Sequence, residues 1–493
     1  MGFYHDIFPV VNSIIEYFLN VSKLNKIGDG GIYLKKMLSL IVVLITFTGI
    51  APFVIFRSTL QLFLKFFYGK NYLGMLSGND RPCLDPSCLF LNVYILEHDG
   101  TINEIYEDVK NSCNKLFFSH TKFSSVMKST LGYQYFVANQ IGFDEILRVE
   151  SFNEDHITKE DLSEFIDEKY SYPLEKKLWE VTIINKPIIY NKHSENKNCY
   201  AIIIKITHTM SDAIYLSSML QKYFFNKCDN KNFIKALKSA KTEKSNRVKN
   251  IVKYITIPIK LPPLNKTNPK SISSVYIEEN QVYFNMVREI RRKHNVTFPQ
   301  VIFTAAMCSF SNYLKNKHPD VEKVRYGYTI RPETENINQV LEGKTLINDL
   351  SFMTSTFKCN SKNIKETLMN ISKSLNEQKR STDGQAMYLL QQLGTHLPYP
   401  ILKLFFKFMI RPITVGFSNI PGINDAFING KNVQDGFVYV NSYLSTKFLF
   451  QIYTYDGRIQ INLTATNNTV DTRMEIDGIL RGIFENINIL YNE

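Results

Sequence analysis

Cysteine is scarce in this 493-residue chain: seven residues, at positions 83, 88, 113, 199, 228, 308 and 359, with no CxxC pair among them. That scatter excludes a disulfide framework and a zinc site, so no metal is expected and reducing surroundings are the better fit. Cys199 and Cys308 lie in apolar runs and are expected to be buried thiols. No GxSxG elbow occurs, which sets aside the common serine hydrolases. GxGxxG and Walker signatures are missing too, so no nucleotide or dinucleotide cofactor is implied. Tryptophan occurs once, at Trp179.

Acidic residues are too few to balance the basic ones, and the net charge is +12. The excess is local. Residues 227–270 hold eleven lysines and one arginine against only Asp229 and Glu243, a net +10. This segment has few aromatics for base stacking and no RNA-binding motif, so no nucleic-acid partner is expected. A basic crossover resting on an anionic membrane face is one reading, and a solvated linker is the other. With 493 residues and 44% hydrophobic content, two lobes plus an appendage fit better than one domain.

One long uncharged run is present, the twenty residues 37–56, led by Lys35 and Lys36 and closed by Arg57. At ~1.5 Å rise per residue it just spans a ~30 Å hydrocarbon core. Downstream, Arg57, Gln61 and Lys65 recur every fourth residue among leucines and phenylalanines, the pattern of a helix lying in the membrane interface. Residues 397–413 repeat it with Lys403, Lys407 and Arg411, whose stems can snorkel to headgroups; a core helix with one wet face fits equally well.

The most informative stretch is 202–213. The apolar, β-branched run 202–206 reads as a buried strand that stops at His208, and four residues later Asp212 opens an amphipathic helix. A strand end puts a side chain at the rim of a sheet, and imidazole is suited to moving protons near neutral pH. A lone histidine in that position is more often structural, so context must decide.

The context is a family pattern. Thr207-His208-Thr209-Met210-Ser211-Asp212-Ala213 resembles the HHxxxDG motif of the wax ester synthase/diacylglycerol acyltransferase family, with Thr207 in place of the first histidine and Ala213 in place of the glycine. Leu178-Trp179-Glu180, Ile347-Asn348-Asp349, Ser418-Asn419-Ile420-Pro421-Gly422 and Tyr455-Asp456-Gly457-Arg458 resemble further family segments, in the family's order, over about 77–493.

The resemblance implies an α/β fold of two chloramphenicol-acetyltransferase-like lobes with a tunnel between them, to which the uncharged run 37–56 adds an N-terminal membrane helix. The expected division is a membrane-anchoring region 1–76, a first lobe 77–225, a basic crossover 226–271 and a second lobe 272–493. It also implies an acyl-CoA-dependent O-acyltransferase with no bound cofactor. The donor is acyl-CoA and the acceptor a long-chain alcohol or diacylglycerol, with membrane lipids as further partners. Location is expected at a membrane, the endoplasmic reticulum, with the lobes facing the cytosol.

In that setting His208 is the general base that takes the acceptor's hydroxyl proton, a role typically contributing ~10²–10⁴-fold. No covalent acyl-enzyme is required. Asn348 is the candidate donor to the oxyanion, worth roughly 3–4 kcal/mol by analogy. Asp212 is expected to be structural, paired with Arg331. Thr207, Ser418 and Asn419 are candidate substrate contacts, while Pro421 and Gly422 shape a turn. A catalytically weak lipid-binding or lipid-transfer protein on the same fold is the rival reading.

Overall fold

Polar–apolar alternation fails in the strand Leu89–Glu97, where every residue but the last is buried. Such a strand must be covered on both faces. Leu89, Leu91, Val93 and Ile95 point into one apolar cluster, and Phe90, Tyr94 and Leu96 into another. The structure, a computed structural model, describes residues 29–493 except 85–87, 170–173, 175–176, 190–197, 240–270, 331–336, 360–362, 380–382, 411–412, 441–445 and 467–468.

Two large open sheets carry the molecule. Across the eight-stranded sheet the order is Leu147–Glu150, Trp179–Ile189, Cys199–Thr207, Leu89–Glu97, Lys431–Val440, Asn424–Ile428 and Lys227–Asp229, with Ile157–Thr158 beside Trp179–Ile189. The six-stranded sheet runs Ser271–Ile277, Arg458–Thr466, Phe448–Tyr455, Val415–Ile420, Lys323–Ile330 and Ser351–Lys358. Helices Val282–His294, Phe298–Lys317 and Arg473–Asn492 pack into the core of this second lobe. A small third sheet joins Tyr72–Met75, Tyr133–Val137 and Val126–Thr130.

The lobes exchange chain. The strand Lys431–Val440 leaves the second lobe and pairs antiparallel with Leu89–Glu97, so the boundary at 272 does not separate the sheets. The reason is burial: Phe437 and Tyr439 on one face and Val438 and Val440 on the other complete the two clusters flanking the first-lobe sheet.

The hairpin Phe448–Tyr455/Arg458–Thr466 turns on Asp456 (φ 47°) and Gly457 (φ 68°), the left-handed pair that a type I′ turn needs. Gln300 Oε1 accepts from the Thr297 backbone N–H (2.8 Å), as in a capping box. Thr472 stands at the N-cap position of the last helix, and the Asp471 carboxylate before it lies 2.6 Å from Lys317 Nζ. Cys308 is only partly buried, and none of the seven cysteines is joined in a disulfide.

Candidate active site

The strand Cys199–Thr207 is paired on both sides, with Trp179–Ile189 and with Leu89–Glu97. Its ladder ends where the Thr207 N–H reaches Leu178 O (2.9 Å) and the His208 N–H reaches Cys88 O (3.0 Å). The chain then turns, with the Met210 N–H on Thr207 O (3.0 Å). The His208 side chain is buried at this rim, its ring 4.1 Å from that of Phe90.

His208 Nδ1 lies 3.0 Å from Asn348 Oδ1. The orientation of the Asn348 amide follows from its other contacts. Its Nδ2 lies 2.9 Å from Asp80 Oδ1 and 2.8 Å from the His208 carbonyl oxygen. Both are acceptors, so the amide must present its two N–H groups to them, and its oxygen then faces the imidazole. An oxygen there needs a proton on Nδ1. In the neutral ring this leaves the lone pair on Nε2.

This corrects the role assigned to Asn348. Both of its amide protons are committed, so none is available to an oxyanion, and Asn348 positions His208 instead. Asp80, which orients Asn348 from 268 residues away, was missed in the sequence because Gly78-Asn79-Asp80-Arg81-Pro82 reads only as a turn.

Asp212 caps the helix Ala213–Met219, its Oδ1 accepting from the N–H groups of Ile214 (2.9 Å) and Tyr215 (3.1 Å). Its Oδ2 accepts from the Asp349 N–H at 2.9 Å, and its own N–H reaches Ile347 O at 3.0 Å. Asp212 thus bridges the turn after His208 to the segment carrying Asn348. Arg331, its expected partner, lies outside the described residues. Lys122 makes the same bridge with a charge, its Nζ donating to Met210 O (3.1 Å) and Leu346 O (2.6 Å). Burial lowers the pKa of this amine, with Asp80 acting in the opposite sense. Lys122 carries no sequence signal.

Burial also opposes charging of the His208 ring. The Cys83 thiol and the Asp212 carboxylate act the other way and prevail, leaving the pKa above the ordinary imidazole value of 6.5. Cys83 sits on the buried turn Arg81–Leu84, its N–H on Asp80 O at 3.1 Å. Arg81 pins that turn: its Nη1 donates to Gly394 O (3.1 Å) and Thr395 O (3.0 Å), and its Nη2 to Gly132 O (3.1 Å). Burial lowers its pKa to about 10.

Thr207 directly precedes His208 and shares a hydroxyl contact with Thr209 (3.1 Å). Ser418 and Asn419 lie near the end of the strand Val415–Ile420 in the six-stranded sheet. Gly422 makes a close approach, since a Cβ there would sit 1.2 Å from Thr454 O. Trp179 is fully buried, its indole N–H on Phe123 O at 2.9 Å. No group of three or more potential metal-ligating side chains occurs among the described residues.

Residues 37–56 fall within the helix Asp29–Tyr68. Among the described residues, 48–71 is the stretch long and apolar enough to cross a membrane, by length and composition. Its inner face is occupied: Leu60 and Leu64 pack on Tyr133, Tyr135 and Val137, and Arg57 Nη2 reaches Leu76 O at 3.3 Å. Its outer face exposes Ile55, Phe56, Leu62, Phe63, Phe66 and Phe67. Leu131, at the tip of the adjoining hairpin, is exposed as well, and so are Ile401 and Leu404 in the helix Tyr399–Ile410. The Tyr399 N–H on Gly132 O (2.8 Å) fastens hairpin to helix. Most of the basic crossover lies outside the described residues.

Two open sheets in this arrangement make a two-lobed α/β fold that is also found in acyltransferase and condensation-domain structures. The wax ester synthase/diacylglycerol acyltransferase from Marinobacter aquaeolei VT8 has this fold, at 12% identity over 85% of this chain and 100% of that one, with a TM-score of 0.56. So does a trichothecene 15-O-acetyltransferase from Fusarium sporotrichioides, at 11% identity over 84% and 94%, TM-score 0.58. The epimerization domain from the third module of tyrocidine synthetase B is similar too, at 10% identity over 87% and 95%, TM-score 0.52. Residues 347–483 match the WS/DGAT C-terminal domain. No curated protein matches the chain by sequence.

Proposed function

We propose that the protein transfers a fatty acyl group from acyl-CoA to the hydroxyl of a lipid, a long-chain alcohol or diacylglycerol, with His208 as the base. The observation that carries this reading is the contact of His208 Nδ1 with Asn348 Oδ1 (3.0 Å). It fixes the tautomer whose Nε2 can accept the acceptor's hydroxyl proton as the oxygen attacks the thioester carbonyl. When the tetrahedral intermediate collapses, the imidazolium returns the proton to the departing thiolate. Asn348 and Asp80 hold the ring and Asp212 holds the turn behind it; the developing oxyanion needs a donor other than Asn348. Acyl-CoA is a co-substrate in this scheme, and no further cofactor takes part.

The apolar outer face of residues 55–67, with Leu131, Ile401 and Leu404 beside it, supports membrane attachment at the interface. A crossing by 48–71 would carry the packed small sheet into the hydrocarbon, where its polar edges would lack partners. Lying in the interface avoids that cost and would give the site its acceptor directly from the bilayer. The reading extends to the endoplasmic reticulum membrane with the lobes on the cytosolic side, where acyl-CoA is found.

The test is incubation of membranes bearing the protein with labelled palmitoyl-CoA and either hexadecanol or diacylglycerol. A labelled wax ester or triacylglycerol supports the reading and names the acceptor. No product with either acceptor, from folded and membrane-bound protein, would favour the lipid-binding alternative raised by Thr207 and Ala213.

A further inference from the structure

The apolar outer surface carries charge of one sign only. Residues 30–79, 109–143 and 384–424 contain no aspartate or glutamate, in a chain that has 46 of them. At that frequency, stretches of these lengths would hold about three to five each. They supply the elements of the surface: the helix Asp29–Tyr68 from its second residue on, the hairpin Val126–Thr130/Tyr133–Val137 and the helix Tyr399–Ile410. The fold brings the three together. The rings of Phe56 and Tyr133 lie 5.8 Å apart, and the Tyr133 hydroxyl donates to His396 O at 2.8 Å. Four lysines belong to these elements or their ends. Lys65, Lys70 and Lys403 are exposed, and Lys128 is half-buried, its Nζ 5.1 Å from the centre of the Tyr68 ring. Elsewhere lysines find carboxylates: Lys110 meets Glu107 at 2.9 Å, and Lys317 meets Asp471 at 2.6 Å. Among the described residues none of the four has an ion-pair partner, and the elements beside them offer none.

Apolar residues alone would suit any bilayer, or a second copy of the chain. The positive fringe narrows the choice. Two copies face to face would crowd like charges around the contact, and a neutral leaflet would leave the ammonium groups uncompensated. Anionic headgroups complement them: lysines reach phosphate and carboxylate oxygens on flexible stems while the phenylalanines enter the acyl chains. We propose that this surface docks on an anionic leaflet, a bilayer face carrying phospholipids of net negative charge, and that Lys65, Lys70, Lys128 and Lys403 select it over a neutral one. The proposal rests on the reading of residues 55–67 as interfacial and names the lipid chemistry they meet. Negative phospholipid is concentrated on the cytosolic leaflet, so the same lysines hold the lobes on the side where acyl-CoA is found.

The test is flotation of the full-length protein with vesicles of phosphatidylcholine alone and of phosphatidylcholine mixed with phosphatidylserine. A basic residue at an anionic surface strengthens binding roughly fivefold, so wild type should bind the mixed vesicles more than about tenfold tighter at ~0.15 M salt. Raising the salt to ~1 M shortens the screening length to ~3 Å and should erase that difference while binding to the neutral vesicles persists. The combined variant Lys65→Gln, Lys128→Gln, Lys403→Gln should lose the preference and keep both its neutral-vesicle binding and its unfolding temperature. Equal binding of wild type to both vesicles would overturn the proposal and leave interfacial attachment standing. A preference retained by the folded triple variant would also overturn it, and would assign the selectivity to the basic segment 227–270. Binding to neither vesicle, with the chain self-associating, would overturn the attachment reading as well and put a second copy on this surface.

Discussion

The Asn348 side chain decides what His208 can do. Because its amide faces one carboxylate and one carbonyl, its oxygen has a single direction left, and that direction holds a proton on Nδ1. Asp80→Ala removes the carboxylate that enforces this orientation. Ester formation should fall about ten- to a hundredfold, the range seen when an outer partner orienting a histidine is lost, with little change in unfolding temperature. The raised pKa of His208 has a kinetic counterpart. The protonated ring cannot act as a base, so kcat/KM should rise with pH and level off only above the ordinary imidazole value of 6.5. A half-point below it would show that Cys83 and Asp212 do not charge the ring as described. His208 was legible in the sequence because a β-branched run followed by an aspartate-capped helix locates a strand end. Asn348 was legible by position but not by role, since which way an amide points depends on partners the sequence does not bring together. Asp80, Cys83 and Lys122 come from turns and short helices whose residue types fit many solvent-exposed loops, and only tertiary contact distinguishes them.

Among the elements, the strand Lys431–Val440 ties the lobes together, and a buried ion pair sits on it. Asp435 is fully buried, accepting from Arg458 Nη1 (2.8 Å) and Gln460 Nε2 (2.7 Å). Burial outweighs the attraction of Arg458 and pushes the carboxyl up to about 7. A carboxyl raised in the folded state favours folding fully at pH values below its ordinary pKa. That contribution is lost as pH rises through about 7. Asp435→Asn should therefore flatten the decline in urea midpoint between about pH 5 and pH 8, and an unchanged slope would count against the assignment. The turn at Gly422 is constrained by space and not by dihedral angle. A methyl group there would meet Thr454 O at 1.2 Å, so Gly422→Ala should cost about 1–3 kcal/mol or more in urea unfolding. The dipeptide Asp456-Gly457 is a type I′ hairpin signal, because two left-handed residues in succession select one turn type. The exchange of Lys431–Val440 into the other lobe could not be read in the same way. A strand buried on both faces has no polar side to show which sheet it joins.

At the scale of the whole molecule, the exposed apolar residues lie on one surface formed by a helix, a hairpin tip and the start of a second helix. Periodicity in the sequence placed Arg57, Gln61 and Lys65 on one polar stripe, but the structure turns Arg57 inward to Leu76 O and leaves the phenylalanines outside. Replacing Phe63 and Phe66 by glutamate should lower binding to phospholipid vesicles by more than about tenfold, since a buried phenylalanine is worth ~1.5–3 kcal/mol. Binding equal to wild type in a sedimentation assay would remove that surface from the account. The same surface is linked through Gly132 and Arg81 to the turn bearing Asp80 and Cys83, so the groups that hold His208 are anchored to the platform that meets lipid.

The central claim is that His208 is the base of an acyl transfer, and its most direct test is the rate of neutral-ester formation by His208→Ala beside wild type. A loss of ~10²–10⁴-fold is expected, with vesicle binding and unfolding temperature unchanged. Ester formation at the wild-type rate by the folded variant would contradict it.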